Sequence, residues 1–454
     1  MEFIGRKEEL RRLEKEYSRR TSFVLITGRR RVGKTRLINE FIAGKDAMYF
    51  LVTEQADADV LADFSAALSR YSGKPQGRFD DWRDAMKAFV MSKPGKKILV
   101  IDEFQNLFRK NESFLSLMQD VWDGTMSQEE LMLIVCGSHV SSMESLDKNR
   151  RSPLYGRITR HLVIRPLPFE DVRDGLPYTD EVERYAVLGG IPRYMELFDD
   201  VPLRDNVEDN VMNPSSMLFD DPRVLLGDEV REVASYMSIM RAIADGNRKL
   251  SDISSAVQVP STTLNAYLRR LIEMGMVVRR VPVTDCNPSK SRNGLYTISD
   301  YYTAFWFRFV FPYSSEVQSG DPSWALSEYD QHFIDKHVSF VFEDLCRAMV
   351  PSMSDAIGFK PARVGSYWDG KTEIDVMAIN PVLKAVFVAE CKYHPNNPVD
   401  NHVLNSLKRK VGGIRELDGY KIVYGLFSVS GFDHLDDEDV VLVDRGEVVR
   451  ICSN

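Results

Sequence analysis

The chain has 454 residues, of which 44% are hydrophobic and 28% are charged, and its net charge is −8. This length excludes a single hydrophobic core and predicts about three domains, while the composition excludes a disordered chain. No apolar run reaches the roughly 18 residues of a membrane span, and the acidic balance restricts any nucleic-acid contact to a local basic patch. Five scattered cysteines and an N-terminus without an apolar signal core predict a cytosolic protein without disulfides, zinc or membrane contacts.

The first predicted elements are a strand and a helix joined by a glycine-rich loop. An apolar run ends at Ile26, the spacing G-x-x-x-x-G-K-T follows, and a helical pattern comes next. This is the P-loop motif in the context that it requires. Lys34 would meet the β- and γ-phosphates of ATP, and the Thr35 hydroxyl would bind Mg²⁺. The predicted nucleotide-binding residues of the loop are Gly28, Arg29, Arg30, Arg31, Val32, Gly33, Lys34, Thr35 and Arg36.

Two further apolar strands end in polar residues. The run "KKILVIDEF" ends in Asp102 and Glu103. Asp102 would hold Mg²⁺ through water, and Glu103 would act as the catalytic residue that polarises the attacking water. The strand in "ELMLIVCGSHVSSM" leads into Ser138. Ser138 is a candidate sensor of the γ-phosphate, although a serine after a glycine also suits an ordinary turn.

From about residue 170 to 230 the sequence predicts helices and polar loops, and then a winged helix-turn-helix. Residues 235–283 contain three helical patterns, with Ser261 as the expected N-cap of the third. The runs "MVVRRVPV" and "GLYTIS" predict the hairpin of the wing. In such folds the third helix enters a major groove, where Thr262, Thr263 and Asn265 could reach base edges.

Local charge in this segment favours contact with DNA. It contains three acids and seven basic residues, namely Arg241, Arg248, Lys249, Arg269, Arg270, Arg279 and Arg280. Such an excess predicts a footprint on phosphates. The alternative, a winged helix that only braces its neighbours, stays open.

The last third places charged residues in apolar elements. The aromatic run "YYTAFWFRFVFPY" is expected to fill a core, and a helix then carries Glu343. A strand with Asp375 and a strand with Glu390 and Lys392 follow. If the strands pair, the carboxylates of Glu343, Asp375 and Glu390 could share Mg²⁺ or Mn²⁺, with Lys392 positioning a water. The alternative is a structural ion pair at the end of a sheet.

Several motifs together resemble those of the archaeal-type ATPases of the STAND/AAA+ group. They are "FIGRKEEL", "GRRRVGKT", "VIDEFQNL", "CGSHVSSM", "SPLYGRITRHLVIRPLPFEDV" and "GGIPRY". The resemblance implies that residues 3–6 lie near the adenine and that Pro192 belongs to a lid motif touching the nucleotide. It also makes Arg157 and Arg160 candidates for sensing the γ-phosphate or an interface, with salt-bridged surface arginines as the alternative.

The order of the final elements resembles the core of the PD-(D/E)XK nucleases, and the C-terminal domain of this ATPase family is similar to such nucleases. In this chain "EID" precedes the first charged strand, so the "PD" of that motif is absent.

We therefore predict an α/β protein with four parts. They are a P-loop ATPase core (1–168), a helical lid (169–232), a winged helix-turn-helix (233–300), and linker helices with a restriction-endonuclease-like domain (301–454). The expected function is ATP hydrolysis that controls a winged helix and a nuclease-like domain on double-stranded DNA. The rivals are an ATP-switched DNA-binding regulator with an inactive nuclease-like domain, and a signalling scaffold that forms a homo-oligomer.

Overall fold

The computed structural model describes residues 3–109, 111, 113–173, 178–435 and 439–444. The described chain forms two compact units. The first unit holds residues up to Leu167 together with Ile191–Glu196, and the second holds Pro168–Gly190 and the chain from Leu197 onward. Among the described residues, every helix is too short or too polar to cross a membrane.

The strands are β1 (Thr21–Thr27), β2 (Ala47–Leu51), β3 (Lys97–Asp102), β4 (Leu131–Gly137), β5 (Arg160–Val163), β6 (Val277–Arg280), β7 (Leu295–Ile298), β8 (Arg363–Trp368), β9 (Glu373–Asn380), β10 (Ala385–Lys392), β11 (Lys421–Ser428) and β12 (Val441–Val443).

The helices up to residue 206 are α1 (Lys7–Tyr17), α2 (Lys34–Ile42), α3 (Asp57–Ser72), α4 (Trp82–Met91), α5 (Gln105–Phe108), α6 (Ser113–Gly124), α7 (Val140–Lys148), α8 (Phe169–Val172), α9 (Tyr178–Leu188), α10 (Pro192–Met195) and α11 (Leu203–Asn206). The later helices are α12 (Asp221–Glu229), α13 (Val233–Ala244), α14 (Leu250–Val257), α15 (Ser261–Glu273), α16 (Tyr301–Phe305), α17 (Ser314–Gln318), α18 (Ser323–Phe333), α19 (Ser339–Met349), α20 (Ser354–Ile357) and α21 (Asn401–Val411).

The first unit is built on a parallel five-stranded sheet in the order β2-β3-β4-β1-β5. Strands β3 and β4 are buried along their whole length, which explains their continuous apolar runs. Thr27 pairs with Gly137, and Ile101 pairs with Val135. The residues that follow β1, β3 and β4 therefore lie at one edge of the sheet, where ligands bind in open α/β sheets.

The winged helix in the second unit consists of α13, α14 and α15 with the antiparallel pair β6–β7. The prediction of Ser261 as N-cap of α15 was wrong. Ser261 is the first helical residue, and the cap is Pro260, which has no side-chain acceptor. The extended backbone of Pro260 turns directly into the helix, and its carbonyl accepts the Leu264 N–H at 2.9 Å.

The aromatic run forms α16 and the π-helical segment Trp306–Val310, and its rings fill a core as predicted. Trp306 is 1% exposed, and its indole N–H donates to the Phe219 carbonyl at 2.5 Å. Tyr302 is fully buried and donates to the Leu218 carbonyl at 2.5 Å. The polar atoms of both rings are thus paired, as burial requires.

The second unit also contains a five-stranded sheet in the order β12-β11-β10-β9-β8. Strands β8, β9 and β10 are antiparallel neighbours, whereas β10, β11 and β12 run parallel, with α21 between β10 and β11. Val376 pairs with Ala389. The next residues outward, Asp375 and Glu390, therefore face each other at the end of the β9–β10 ladder.

Candidate functional site

At its first residue, Gly28, the loop between β1 and α2 has a backbone conformation that only glycine fits. Gly28 has φ 153°, and a Cβ there would lie 2.4 Å from the carbonyl oxygen of Ile164. Gly33 has φ 92° and precedes the first turn of α2. Backbone of this kind directs N–H groups at an anion near the N-terminus of the helix.

Lys34 is the cation at the centre of this loop. Its side chain is 6% exposed, and Nζ donates to the carbonyl oxygens of Gly28 at 2.6 Å and Arg29 at 2.9 Å. Burial lowers the pKa of Lys34, and the nearby Cys136, Glu103 and Asp102 oppose that shift. A buried ammonium held by two carbonyl groups is well placed to exchange them for phosphate oxygens.

Asp102 joins the loop to two strands. Its Oδ2 accepts the hydroxyl of Thr35 at 3.0 Å and the hydroxyl of Tyr49 at 2.5 Å. Burial, followed by the Asp102 carboxylate, raises the pKa of Tyr49, so the phenol stays protonated and donates. The sequence analysis missed Tyr49. The pairing of Leu51 with Asp102 shows why it is close, but that pairing is visible only in the folded sheet.

Glu103 lies in the left-handed region, with φ 53°. Its Oε2 accepts the Ser138 hydroxyl at 2.9 Å and the side-chain amide of Gln105. The candidate sensor Ser138 therefore contacts the predicted catalytic carboxylate. A Cβ at Gly137 would lie 2.2 Å from Gln105 Oε1, so a larger residue before Ser138 would displace the Gln105 side chain. Gln105 was also missed by the sequence analysis.

These residues border a cavity of about 350 Å³, within the range of small-molecule sites. The predicted site residues that line it are Arg30, Arg31, Val32, Gly33, Lys34, Thr35, Arg36, Glu103, Ser138 and Pro192. Phe3, Ile4 and Arg6 also line it, together with Arg193 and Glu196. Gly28 and Arg29 take part through the carbonyl groups that hold Lys34, while the Arg29 side chain contacts Tyr194. The cavity and its donors fit a nucleoside triphosphate.

The two candidate sensor arginines have carboxylate partners outside this cavity. Arg157 forms a bidentate salt bridge with the Asp123 carboxylate, with N–O distances of 2.9 and 2.6 Å. Arg160 contacts Glu16, which is fully buried, at 3.3 Å. Neither arginine lines the cavity, so the structure favours the salt-bridged alternative over sensing of the γ-phosphate.

In the second unit the predicted C-terminal residues form one network. Glu390 is 5% exposed and accepts Lys392 at 2.9 Å and Lys410 at 2.6 Å. Asp375 Oδ2 accepts the Cys391 N–H at 2.8 Å. Lys410, on α21, was not predicted, and the basic run at the end of that helix was the signal for it. The two carboxylates and Lys392 thus lie together, as the strand pattern predicted.

Glu343 enters the network through Arg347, which contacts it at 3.3 Å and donates to the Asp375 carbonyl at 2.6 Å. Burial, then the charge of Asp375, raises the pKa of Glu343 to about 8. Burial, then Glu390, raises the pKa of Asp375 to about 6. Within the described chain, no group of three or more His, Cys, Asp or Glu side chains is arranged to hold a metal. The metal site at Glu343, Asp375 and Glu390 stays a prediction.

A basic groove of about 990 Å³ runs between α15 and the wing. Asn265, Arg269 and Lys249 line it, as does Arg292 from the wing loop. Arg279 lines it too, but it also holds the wing loop through the carbonyls of Pro288 and Ser291.

The predicted phosphate footprint is therefore smaller than the count of basic residues suggested. Arg280 is paired with Asp344, Arg270 contacts Glu229, and Arg241 contacts Asp245. Of the seven basic residues counted in the sequence, Lys249, Arg269 and Arg279 line the groove.

Three family models match the chain. The "ATPase domain predominantly from Archaea" matches residues 3–198. The "Bacterial regulatory protein, arsR family" matches residues 237–278. A family of "Archaea bacterial proteins of unknown function" matches residues 306–404. The first two matches confirm the predicted ATPase fold and helix-turn-helix region. The third names no activity, so the nuclease likeness stays a prediction.

An uncharacterized protein of Methanocaldococcus jannaschii is 32% identical over 433 residues, which cover 93% of this chain and 95% of the relative. An uncharacterized ATP-binding protein of the same organism is 46% identical over 44 residues, covering 10% of this chain and 75% of that protein.

Two solved structures are similar to this chain at low sequence identity. The Walker-type ATPase of Pyrococcus abyssi is 21% identical, with a TM-score of 0.48, and the match covers 67% of this chain and 96% of that one. The ORC2 protein of Aeropyrum pernix is 16% identical, with a TM-score of 0.46, and the match covers 70% and 95%. Both TM-scores lie below 0.5, so neither likeness bears on function.

The raised pKa of Glu343 predicts a pH-dependent cost to stability. A glutamate in the unfolded chain titrates near pH 4.3, whereas Glu343 in the folded chain keeps its proton up to about pH 8. The stabilisation of the folded state by this bound proton is complete at low pH. It is lost as the pH rises from about 4.3 to about 8. We expect Glu343→Gln to be more stable than the wild type by about 1 kcal/mol or more at pH 9, with a smaller difference at pH 5. Urea unfolding measures this, with exposed Glu316→Gln as control. Parallel stability–pH curves for Glu343→Gln and wild type would contradict it.

Proposed function

The chain belongs to the family of ATPases with the ATPase domain predominantly from Archaea, and from this premise we propose that it binds and hydrolyses ATP·Mg²⁺ and that nucleotide controls its binding to DNA. One observation carries the ATPase proposal. Lys34, Thr35 and Asp102 converge with Glu103 and Ser138 at one edge of the sheet. Thr35 donates to Asp102 there, and Ser138 donates to Glu103. A chance glycine-rich turn would not bring these groups together.

Each residue has a separate task in the proposed reaction. Lys34 would leave the Gly28 and Arg29 carbonyls and neutralise the β- and γ-phosphates. Thr35 and Asp102 would hold Mg²⁺, which neutralises phosphate charge when bound. Glu103 would orient the attacking water and draw its proton, while Ser138 and Gln105 keep its carboxylate in place. Tyr49 keeps the Asp102 carboxylate oriented.

The path of the chain supports control by nucleotide. The segment Ile191–Glu196 belongs to the first unit, but the residues on both sides of it belong to the second. Pro192 in this segment lines the ATP cavity. Gly189 and Gly190 precede it with φ 64° and 67°, a backbone that glycine adopts without strain. A shift of Pro192 on nucleotide binding would therefore reach the second unit through the chain itself.

The groove beside α15 supports the DNA proposal. Arg269 and Arg292 are exposed at this groove, and Asn265 lies on the first turns of the helix that such folds insert into DNA. Arginine suits phosphate contacts because its planar fork donates two hydrogen bonds at once.

Replacing Glu103 tests hydrolysis. We expect Glu103→Gln to bind ATP but to hydrolyse it about 10²–10⁴-fold more slowly, because the general base is lost. Lys34→Ala should lose ATP binding itself. Phosphate release and fluorescent-nucleotide binding measure the two effects, with exposed Glu130→Gln as the unchanged control. Full hydrolysis by Glu103→Gln would contradict the assignment.

Replacing Arg269 tests the groove. Arg269→Ala should weaken DNA binding and lower the slope of log K against log salt by about 1, because one phosphate contact is lost. Arg241→Ala, at an exposed arginine outside the groove, is the matched control. Fluorescence anisotropy with duplex DNA measures both. Equal DNA affinity with ADP and with a non-hydrolysable ATP analogue would contradict control by nucleotide.

A second candidate function is cleavage of DNA at the C-terminal network. The observation that favours it is that Asp375 and Glu390 lie opposite each other on neighbouring strands. Lys392 and Lys410 both donate to the Glu390 carboxylate. The helix with Glu343 precedes these strands, and α21 follows them, in the order that resembles the nuclease core. The carboxylates hold basic groups and an N–H here and form no ready metal site, so no step is assigned to a metal.

Cleavage is tested with linear and circular DNA in Mg²⁺ or Mn²⁺. Loss of cleavage in Lys392→Ala would make the network catalytic, and loss in Lys34→Ala would place ATP in control. The control is Lys421→Ala, an exposed lysine at the start of β11. Absence of cleavage under every condition would overturn this second function and leave the network a structural ion cluster.

A further inference from the structure

A partly open cavity in the second unit is distinct from the ATP cavity. It measures about 130 Å³ and lies where the winged helix, the π-helical segment Trp306–Val310 and α19 meet. Five basic side chains line it, namely Arg248, Arg280, Arg308, Lys336 and Arg347. Such a concentration of positive charge around a small space is costly unless negative charge compensates it.

Three of these five cations already have carboxylate partners. Arg280 contacts both oxygens of Asp344, at 2.5 and 2.7 Å, and Arg347 contacts the same carboxylate at 2.6 Å. Lys336 contacts Glu328 at 3.1 Å. Three carboxylates also line the cavity. Asp344 and Glu343 are held by Arg280 and Arg347, whereas Glu373 is exposed at the start of β9.

The remaining two arginines have no carboxylate partner in the described chain. Arg308 is half-buried and donates to the carbonyl of Ala244. Arg248 lies over the ring of Phe340, with Cζ 4.8 Å from the ring centroid, and its side chain donates no hydrogen bond to the described residues. Burial lowers the pKa of Arg308, Asp245 opposes that shift, and the neighbouring Arg248 adds to it. Both guanidinium groups therefore line the cavity with N–H donors that no carboxylate of the described chain accepts.

The size of the cavity and the N–H donors that line it indicate what could bind there. Since water occupies about 30 Å³ in the liquid, the cavity has room for about four waters. A nucleic-acid duplex is far too large, whereas one phosphate group is of suitable size. Guanidinium groups match phosphate oxygens with paired N–H donors.

We propose that this cavity is a binding site for one phosphate group, held by Arg308 and Arg248. Arg248 lies between α13 and α14 of the winged helix, and Arg308 lies on the aromatic segment that follows the wing. A bound phosphate therefore links the winged helix to the helices that lead into the C-terminal sheet. Its source is either a free small phosphate or the terminal phosphate of a nucleic-acid strand.

Calorimetric titration with inorganic phosphate at constant ionic strength tests this site. The full-length Lys34→Ala protein is used, because that substitution removes phosphate binding at the P-loop. We expect saturable binding to Lys34→Ala, and binding about tenfold or more weaker after Arg308→Gln is added, since a charged hydrogen-bond donor is lost. Arg241→Gln in the same background is the matched control and should leave the affinity unchanged.

Arg248→Gln serves as the second variant, because its side chain donates no hydrogen bond that the fold requires; it should also weaken binding. No binding to Lys34→Ala, or an affinity unchanged by both substitutions, would overturn the site. A 5′-phosphorylated oligonucleotide that displaces phosphate, where its 5′-hydroxyl form does not, would assign the anion to a strand end. If neither oligonucleotide displaces phosphate, the anion is assigned to a free small phosphate.

Discussion

The register of the parallel sheet in the first unit is the constraint on which the ATP site depends. Because β1, β3 and β4 run in the same direction and end together, their following residues meet at one edge. Asp102 then comes within hydrogen-bond distance of Thr35, on the helix after β1. A slip of one residue between β3 and β4 would turn each side chain to the opposite face and separate Glu103 from Ser138. The strand register that forms the fold of this unit therefore also positions the side chains of its predicted site.

The second unit is governed by how its buried charges are paired. Asp344 is neutralised by two guanidinium groups, and Glu390 by two ammonium groups. Burial of a charge is tolerated when such partners are present and is costly when one is removed. This pairing explains how charged residues can lie inside strands and helices that are otherwise apolar. It also distinguishes Arg248 and Arg308, because neither has a carboxylate partner in the described chain.

The two units are joined by more than one passage of the chain. The Gly-Gly-Ile-Pro segment sends the backbone from the second unit into the first, and the chain returns after Glu196. In the proposed function, nucleotide bound beside Pro192 would act on a segment that is bonded covalently to the second unit at both of its ends. The coupling energy is set by the difference between the ATP-bound and ADP-bound states in how they hold Pro192.

Local sequence was sufficient for the parts whose chemistry depends on adjacent residues. The P-loop, the acidic pair after β3 and the three helices of the winged helix follow from spacing and periodicity. The sequence also predicted that Asp375 and Glu390 lie at the same end of the sheet, provided that their strands pair as neighbours. The N-cap of α15 was misassigned by one position, since the local preference for serine at an N-cap does not hold at Pro260 and Ser261.

Only the tertiary structure showed the groups that meet across distant segments. Tyr49 reaches Asp102, Lys410 reaches Glu390, and Arg280 is drawn from the apparent DNA footprint into a buried pair with Asp344. The sequence determined which residues could carry charge or donate hydrogen bonds. Which partner each one found was decided by packing, because contacts between residues far apart in the chain depend on how whole helices and strands are placed.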